Sequence, residues 1–320
     1  MHPPENSCPL ISVAIATYNR AETLRRALSS ISRLHHDQFQ IEVVVIDNGS
    51  SDHTRDVVAA VAESCPFPIT SFYEAQAGLP FARNRAVKES RGQWIAFFDD
   101  DQLTDPQWLV KLYRTAVREQ VLCVGGSRSL LLESNTTVEL PSYCRELLGE
   151  INQQESGDYH ILNLPCTGNV LIHRSLFEQW GMFDERVLDG GEDSDFFNRL
   201  LHGGVRCVYE PSAAVQHLIP ATRLESDYLQ RIAFRHGIHV CRRDLQYRGK
   251  WATYLSAAAR VLLVGISAPC KIACASLVAR RNEVISHYCK WRRACGYLSY
   301  AIKNQSGQKD LSSRTMHRGR

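Results

Sequence analysis

The chain has 320 residues, of which 44% are hydrophobic and 22% charged; this usage is that of an ordinary globular protein and predicts a soluble, enzyme-sized domain. Its first ten residues, MHPPENSCPL, lack the basic start and the apolar stretch of a secretory signal, so we expect a cytoplasmic protein. The eleven cysteines are an odd number without a C-x-x-C pair, which argues against a disulfide framework and against a zinc ribbon.

The net charge of +3 conceals an asymmetry between two parts of the chain. Residues 1–220 hold 18 lysines and arginines against 29 aspartates and glutamates, a net of −11, whereas residues 221–320 hold 19 against 5, a net of +14. An acidic body with a basic tail suggests that the two parts meet different partners. An anionic membrane surface and nucleic acid are the usual partners of such a basic part.

Strand-like and helix-like segments alternate along the first 125 residues. Apolar runs rich in Val, Ile and Phe predict buried strands at 11–16, 42–46, 69–73 and 94–98. A helix is predicted after each strand, marked in turn by Leu24, Ala27, Leu28 and Ile31, by Val57, Val58 and Val61, by residues 82–90, and by a start at Pro106. This alternation predicts an α/β fold whose mostly parallel sheet is covered by helices on both faces. Ligands of such sheets bind at the carboxyl ends of the strands.

The fourth predicted strand, WIAFF, runs directly into Asp99, Asp100 and Asp101. Adjacent carboxylates repel one another unless a cation offsets their charge. A divalent metal is the economical explanation, because Mg²⁺ and Mn²⁺ take oxygen ligands and share their coordination shell with substrate phosphates. A solvated acidic turn, with Asp105 capping the next helix, is the alternative that the triplet alone leaves open.

Polar loops also follow the first two predicted strands, so that loops from neighbouring strands converge on one edge of the sheet. Five segments stand in the order and spacing of one known family: SVAIATYNR, VVVIDNGSSD, AGLPFARNRAV, FFDDDQ and GGEDSDFFNRL. Over residues 10–240 the chain resembles the family 2 glycosyltransferases with a GT-A fold. The resemblance implies a Rossmann-like, mostly parallel sheet flanked by helices, followed here by a basic helical extension.

The resemblance implies a pocket for a nucleoside diphosphate sugar at this edge. Thr17, Tyr18 and Asn19 would line the pocket, and Asp47 with Asn48 would meet the base. Many relatives have a second Asp at the position of Asn48, which leaves the base open; uridine is our first choice.

Further residues of the donor pocket are implied by the third and fourth motifs. Arg83 or Asn84 would lie near the nucleotide or its phosphates, although a helix-surface arginine is an equal alternative for Arg83. Asp99 and Asp100 would face the ribose and metal-bound water.

The resemblance also implies a divalent metal, Mn²⁺ or Mg²⁺, that bridges the two donor phosphates and stabilises the charge on the leaving nucleotide. Asp101 would be the main ligand, with Asp99 beside it. His217, in AVQHLIP, stands where some GT-A enzymes add a histidine ligand. A histidine after an apolar strand can also be structural.

The segment GGEDSDFFNRLL predicts an amphipathic helix with Glu192 and Asp193 at its N-terminus. By resemblance, Asp193 removes the proton of the acceptor hydroxyl, whose oxygen attacks the anomeric carbon in line and inverts it. Glu192 is the alternative base, and Asp195 would position the acceptor or face water. Simple helix capping by these carboxylates is the other interpretation. Gly190 and Gly191 favour function, because glycines let the loop bring a carboxylate close to substrate.

The segment PCTGNVLIHRSLF, residues 165–177, predicts a loop, a short strand and a helix start. In the family this region helps to form the sugar and acceptor pocket, with Thr167, Gly168 and Asn169 at its lip. Residues 127–164 carry no sharp motif, and we expect acceptor choice to lie there.

Taken together, the motifs predict an inverting, metal-assisted hexosyltransferase that moves a sugar from a nucleoside diphosphate sugar, UDP-sugar favoured, to a hydroxyl of a glycan or lipid-linked acceptor. A metal-dependent nucleotidyltransferase usually has a Gly-rich, basic loop where this chain has ATYNRAE. A nucleotide-sugar or glycan-binding protein without turnover would need the pocket but not Asp193. We expect four regions: a donor-binding half at 1–125, an acceptor-binding half at 126–240, a helical extension at 241–300, and a disordered basic tail at 301–320.

Residues 251–281 raise the question of a membrane span. Arg260 and Lys271 leave at most ten uncharged residues between them, short of the ~20 that cross a bilayer. On a continuous helix these two charges share one face and leave the other apolar, although Pro269 bends or divides the helix. The alternative is a helical subdomain packed on the enzyme.

Basic residues surround this stretch: Arg242, Arg243, Arg248, Lys250, Arg280, Arg281, Lys290, Arg292 and Arg293. Cations near an anionic leaflet favour binding at the interface. We therefore predict a peripheral enzyme on the cytoplasmic face of the membrane that extends a lipid-linked glycan. No zinc, helix-turn-helix or RNA-binding signature is present, so no nucleic-acid partner is expected.

Overall fold

The computed structural model describes residues 8–133, 139–188, 190–260 and 281–306, together with the single positions 263, 264, 267, 269, 271 and 272. The chain divides into two compact units. Unit 1 comprises Met1–Asn135 and Gly149–Pro220, and unit 2 comprises Thr136–Leu148 and Ala221–Arg320.

A mixed sheet forms the centre of unit 1. Its described strands are β1 (Leu10–Thr17), β2 (Gln40–Asp47), β3 (Ile69–Tyr73), β4 (Trp94–Phe98), β5 (Gln102–Thr104), β6 (Cys123–Leu132), β7 (Gly157–Asp158), β8 (Asn169–His173) and β9 (Val208–Ile219). Their spatial order is β3-β2-β1-β4-β8-β6-β9-β5, and β7 pairs with β9. The first four in this order are parallel, β8 is antiparallel to both β4 and β6, and β9 runs parallel to β6.

Helices cover both faces of this sheet. Those of unit 1 are α1 (Ala21–Ile31), α2 (Thr54–Ala62), α3 (Leu79–Glu89), α4 (Trp108–Glu119), α6 (Ser175–Trp180) and α7 (Glu192–His202). Side chains alternate between two buried clusters: Val43 and Val45 of β2 enter one, and Val44 and Ile46 enter the other. Because both faces are buried, β2 is a continuous apolar run rather than an alternating one.

Unit 2 is helical. Its described helices are α5 (Ser142–Leu147), α8 (Ser226–Tyr247), α9 (Gly249–Arg260) and α10 (Arg281–Ser306), with a 3-10 turn at Ala221–Leu224. The backbones of α8 and α10 touch where they cross: a Cβ on Gly237 would lie 2.0 Å from the Arg293 carbonyl oxygen, and one on Gly296 would lie 2.0 Å from that of Phe234. The two glycines therefore fix where the two longest helices of this unit meet.

The predicted α/β fold with a large, mostly parallel sheet is confirmed, and each strand and helix predicted in the first 125 residues is present. The short strand and the helix start predicted within 165–177 are β8 and α6. Unit 1 ends at Pro220. The predicted junction between residues 240 and 241 lies inside α8. Of the predicted tail, residues 301–306 end α10 and residues 307–320 lie outside the described residues.

None of the helices in the described part of the chain is long and apolar enough to cross a membrane. The predicted continuous helix with Arg260 and Lys271 on one face includes positions that lie outside the described residues. Arg260 itself lies over the ring of Tyr297, with its guanidinium carbon 4.0 Å from the ring centroid.

Candidate active site

The carboxyl ends of β1, β2 and β4 lie side by side at one edge of the sheet. Thr17 is paired in register with Asp47, and Asp99 directly follows the neighbouring strand. The Thr17 hydroxyl donates a hydrogen bond of 2.8 Å to Oδ2 of Asp100. The polar residues predicted after the first and fourth strands are therefore in direct contact.

Arg20 bridges two aspartates of the triplet, Asp100 and Asp101. Its Nη1 lies 2.8 Å from Oδ1 of Asp100 and 3.0 Å from Oδ2 of Asp101. Burial raises the pKa of the Asp100 carboxyl to about 6, although the Arg20 guanidinium opposes that rise. Arg20, the single cation of the loop ATYNR, is a site residue that was not predicted. A run of carboxylates needs a counter-charge, and this residue supplies one.

Asp101 and His217 come together through the pairing of β5 with β9. Gln102 is opposite His217 in that antiparallel pair, and the Leu218 amide donates to the Asp101 carbonyl at 2.8 Å. His217 Nε2 lies 3.4 Å from Oδ1 of Asp101. A carboxylate oxygen beside an imidazole nitrogen fits a divalent ion such as Mn²⁺ that completes its shell with phosphate and water oxygens.

Asp99 does not join Asp101 and His217 as a third ligand. Over the described stretches, no group of three His, Cys, Asp or Glu side chains is arranged to hold a metal ion. Instead, Asp99 accepts a hydrogen bond of 3.3 Å from Nε2 of Gln102 and lies 3.9 Å from each of two arginines, Arg83 and Arg128. Asp99 thus belongs to the arginine side of the site.

Arg83 connects α3 with the start of α7. Its Nη1 forms an ion pair with Oε1 of Glu192, and its Nη2 lies 3.9 Å from Oδ1 of Asp99. The side chains of Arg83 and Glu192 are only 8% and 3% exposed, so Arg83 is not a helix-surface arginine. Burial raises the pKa of the Glu192 carboxyl, and Arg83 opposes that rise.

The start of α7 is shaped by two consecutive glycines. Gly190 and Gly191 have φ values of 94° and 93°. Residues that carry a Cβ rarely adopt this left-handed backbone conformation. Asp193 follows in the first turn, half-buried, and its Oδ1 accepts a 2.6 Å hydrogen bond from the Ser194 amide. Asp195 lies further along and pairs with Arg199 at 3.0 Å.

Gly168 packs directly against Asp99. A Cβ at this position would lie 2.3 Å from Oδ2 of Asp99, so no side chain fits there without moving the carboxylate. Around this contact, Oγ1 of Thr167, Oε1 of Gln102 and Oε2 of Glu192 are buried with no hydrogen-bond partner in the structure. Buried polar atoms without partners are costly, so this part of the site is suited to a water or a polar ligand.

Arg128, on β6, is a second site residue that the sequence analysis did not single out. Its Nη1 lies 3.9 Å from Oδ2 of Asp99. Burial lowers the pKa of the Arg128 guanidinium, but the neighbouring Cys166, Asp99, Asp101 and Asp193 produce a net rise. No local motif marks Arg128, because β6 reaches the site only through its pairing with β8 and β9.

Two of the predicted site asparagines are used inside the protein. Asn169 is 1% exposed; its Oδ1 accepts from the Trp108 indole at 2.7 Å, and its Nδ2 donates to two backbone carbonyls. Asn84 is 3% exposed and exchanges two hydrogen bonds with the backbone of Phe183. Their amides support neighbouring loops and are not presented to a ligand.

The other two predicted asparagines order the loops of the donor edge. Asn48 donates to the carbonyls of Glu74 and Gln76 and accepts from the Gly78 amide at 2.9 Å. Asn19 has a left-handed φ of 50°, and its Oδ1 accepts from the Ser51 amide at 2.7 Å. Tyr18, next to Asn19, is 59% exposed. Asp47, next to Asn48, accepts a hydrogen bond from the Ser50 amide through its Oδ1. Of the residues predicted in the first loop, Tyr18 and Asn19 are exposed and Thr17 is buried.

The site can be compared with known proteins now that its geometry is described. The model of the family described as Glycosyl transferase family 2 matches residues 12–181. The succinoglycan biosynthesis protein ExoM of Rhizobium meliloti is 27% identical over 290 residues, which cover 85% of this chain and 87% of that protein. The glycosyltransferase AglE of Haloferax volcanii is 26% identical over 187 residues, covering 58% of this chain and 60% of AglE.

Among solved structures, a mannosyltransferase from Pyrobaculum calidifontis in complex with GDP-Man and Mn²⁺ superimposes with a TM-score of 0.63. Its sequence identity is 20%, and the match covers 93% of this chain and 89% of that one. At this identity the likeness is one of fold.

Proposed function

We propose, since this chain belongs to glycosyl transferase family 2 and is therefore a nucleotide-sugar-dependent transferase, that it is an inverting, metal-assisted enzyme that glycosylates a hydroxyl of a glycan or lipid-linked acceptor. We favour a UDP-sugar as the donor. The observation that carries the proposal is the juxtaposition of Asp101 with His217 beside a second acidic pair at the start of α7. Family membership disfavours the nucleotidyltransferase and binding-protein alternatives.

In this proposal Asp193 is the general base. It takes the proton of the acceptor hydroxyl as the oxygen bonds to the anomeric carbon, while the bond from that carbon to the diphosphate oxygen breaks on the opposite side. Glu192 is unsuited to this task, because it is 2% exposed and engaged by Arg83. Asp193 is adjacent, more exposed, and positioned by the two left-handed glycines. Asp195, paired with Arg199, would orient the acceptor from the same first turn of α7.

Asp101 and His217 would hold the divalent ion, and the donor diphosphate would complete its coordination. When bound, the ion supplies Lewis-acid stabilisation of the charge that develops on the leaving nucleoside diphosphate. Thr17, through its hydrogen bond to Asp100, keeps the middle carboxylate turned towards β1. Arg83 and Arg128 lie 3.9 Å from Asp99, which in this proposal faces the ribose of the donor.

The acceptor class is supported by the relatives rather than by the pocket. ExoM, as its name states, is a succinoglycan biosynthesis protein, and it is similar along most of its length. We accordingly place this chain in polysaccharide biosynthesis. Gly168 lies against Asp99. The buried, unpartnered hydroxyl of the adjacent Thr167 is offered to an acceptor or donor sugar in this proposal.

The test is ligand-induced stabilisation of the full chain. Thermal unfolding is followed with UDP and with GDP, each with and without Mn²⁺. A ligand present at about 100 times its Kd should add roughly 2.7 kcal/mol to the free energy of unfolding, and we expect UDP with Mn²⁺ to give the largest rise in Tm. In Asp101→Asn the Mn²⁺-dependent part of this rise should disappear, with nucleotide affinity reduced at least about tenfold.

Asp105→Asn is the matched control, since Asp105 is an exposed carboxylate four residues further on that pairs with Lys111. It should respond to UDP and Mn²⁺ as the wild type does. Undiminished Mn²⁺-dependent stabilisation in a folded Asp101→Asn protein would contradict the metal assignment. A larger response to GDP would overturn the choice of uridine and leave the transferase assignment standing.

A further inference from the structure

The helix α9 of unit 2 carries its large apolar side chains on the outside. Trp251 is 84% exposed and Leu255 is 72% exposed, one turn apart on the same face. Ala258 and Ala259 continue that face and are exposed too, and Leu263, just beyond the helix, is 71% exposed. Single exposed apolar residues are ordinary, but several in one stripe indicate a surface that meets another apolar phase.

The opposite face of α9 packs against the rest of unit 2, which fixes the exposed stripe on the outside. Thr253 and Ala257 are buried. The Tyr297 hydroxyl of α10 donates a 2.9 Å hydrogen bond to Asp244 of α8 and lies 3.4 Å from the Thr253 carbonyl. Arg260 covers the Tyr297 ring, as described above. These contacts fix the orientation of α9 about its axis, and in this orientation Trp251 and Leu255 face outward.

Cations border the exposed stripe. Arg248 and Lys250, both exposed, immediately precede Trp251 in the chain. Residues 221–320 carry a net charge of +14, whereas residues 1–220 carry −11. A tryptophan and leucines exposed on one helix face, with cations just before them in the chain, form the pattern of a helix that lies in an anionic membrane interface, with the ring at the headgroups and the cations on the lipid phosphates.

We infer that the α9 face, defined by Trp251, Leu255, Ala258, Ala259 and Leu263, docks unit 2 on the surface of an anionic lipid bilayer. The occupant is lipid rather than a protein partner, because an apolar stripe bordered by exposed cations matches both the acyl region and the charge of such a membrane. Binding is peripheral, since no helix in the described segments could cross a bilayer. This inference does not depend on the donor or the chemistry proposed for unit 1.

The experiment is vesicle flotation of the full-length protein, with vesicles of phosphatidylcholine alone or mixed with phosphatidylglycerol. The wild type should float with the anionic vesicles at low salt, and high salt should release it because screening weakens attraction to the lipid charges. In Trp251→Glu/Leu255→Glu the partition onto anionic vesicles should fall at least about tenfold. Val117→Glu is the matched control, because Val117 is a 57% exposed apolar residue on α4 of unit 1; it should float as the wild type does.

A second measurement requires no disruptive variant. Lipids brominated on their acyl chains should quench part of the tryptophan fluorescence of the wild type, and most of that quenching should be absent in Trp251→Phe, which keeps an apolar ring and should still float. Equal flotation with neutral and anionic vesicles, wild-type flotation of the double variant, or the absence of quenching would overturn the inference. A dimer of the wild type that the double variant abolishes, without any lipid binding, would overturn it in favour of a second copy of the chain.

Discussion

Unit 1 has two acidic runs, at residues 99–101 and 192–193, and an arginine neutralises a buried carboxylate in each. The two arginines differ in how exposed they are. In each run, an arginine from another part of the chain contacts a buried carboxylate: Arg20 contacts Asp100, and Arg83 contacts Glu192. The Arg20 side chain is 42% exposed and also reaches Asp101, whereas that of Arg83 is 8% exposed. One counter-charge is open to solvent, and the other is enclosed.

This difference separates a cation that can be exchanged from one that cannot. Arg20 is half exposed and can be resolvated when it leaves, so another cation can take its place beside the buried Asp100 and Asp101. Separating an enclosed pair leaves a charge buried alone, at a cost of several kcal/mol. We therefore propose that Asp101, whose arginine partner can be exchanged, takes part in reversible metal binding, and that the Arg83–Glu192 pair is a permanent support that leaves the neighbouring Asp193 for the proposed chemistry.

The largest expected effect concerns the different roles of Glu192 and Asp193 at the start of α7. Asp193→Asn should keep donor binding but lose turnover by roughly 10²-fold or more, the scale of a general base. Asp56→Asn is the matched control, because Asp56 also lies in the first turn of a helix and should change only helix stability. Steady-state kinetics with nucleotide release as the readout, alongside donor binding, separates the two. If Glu192→Gln is inactive while Asp193→Asn turns over normally, the roles of the two carboxylates are reversed.

The next effect tests whether the enclosed pair is a support. Arg83→Met strands the Glu192 carboxylate in a buried site and should lower the free energy of unfolding by about 3 kcal/mol. Adding Glu192→Gln removes the stranded charge and should restore part of that loss. Arg85→Met, on the same helix, breaks the more exposed pair with Glu89 and should cost under about 1 kcal/mol. Denaturant unfolding measures all three variants, and equal losses for Arg83→Met and Arg85→Met would show that enclosure does not matter.

The smallest effect tests exchange at the triplet. If Arg20 competes with a metal for Asp101, then Arg20→Gln should bind Mn²⁺ about two- to fivefold more tightly in the absence of nucleotide, the scale of a half-exposed ion pair. Arg25→Gln, in the same helical region but paired with Glu22, should leave Mn²⁺ affinity unchanged. Calorimetric titration of the nucleotide-free protein with Mn²⁺ gives both values. Weaker Mn²⁺ binding in Arg20→Gln would mean that the guanidinium assists the metal instead of being displaced by it.

Local sequence was sufficient for five strands of the sheet, β1 to β4 and β8, and for the acidic residues after β4 and at the start of α7. Runs such as EVVVI predict a strand buried on both faces, and polar residues after such a strand are drawn to its carboxyl end whatever the rest of the fold does. The glycines before Glu192 likewise predict a special backbone from the residue type alone.

Partners that are distant in the sequence could not be predicted in this way. The pairing of Arg83 with Glu192 depends on how α3 and α7 pack, and the site position of Arg128 depends on the neighbours of β6. The asparagines show the converse: Asn84 and Asn169 stand in site motifs, yet tertiary contacts use their amides to hold Phe183 and Trp108. A motif indicates that a residue is needed near a site, and only packing shows whether it faces the ligand.

The pairing of β5 with β9 has a consequence for the order of assembly. Asp101 receives its backbone hydrogen bond from Leu218 and its imidazole neighbour from His217, both on the last strand of unit 1. Contacts between such distant parts of a chain close slowly during folding. Because the chain is synthesised from its N-terminus, the aspartate triplet also emerges long before His217, the imidazole neighbour of Asp101. A nascent chain released before β9 forms would expose its acidic edge without the strand that shapes it, so maturation of this edge coincides with completion of the whole first unit.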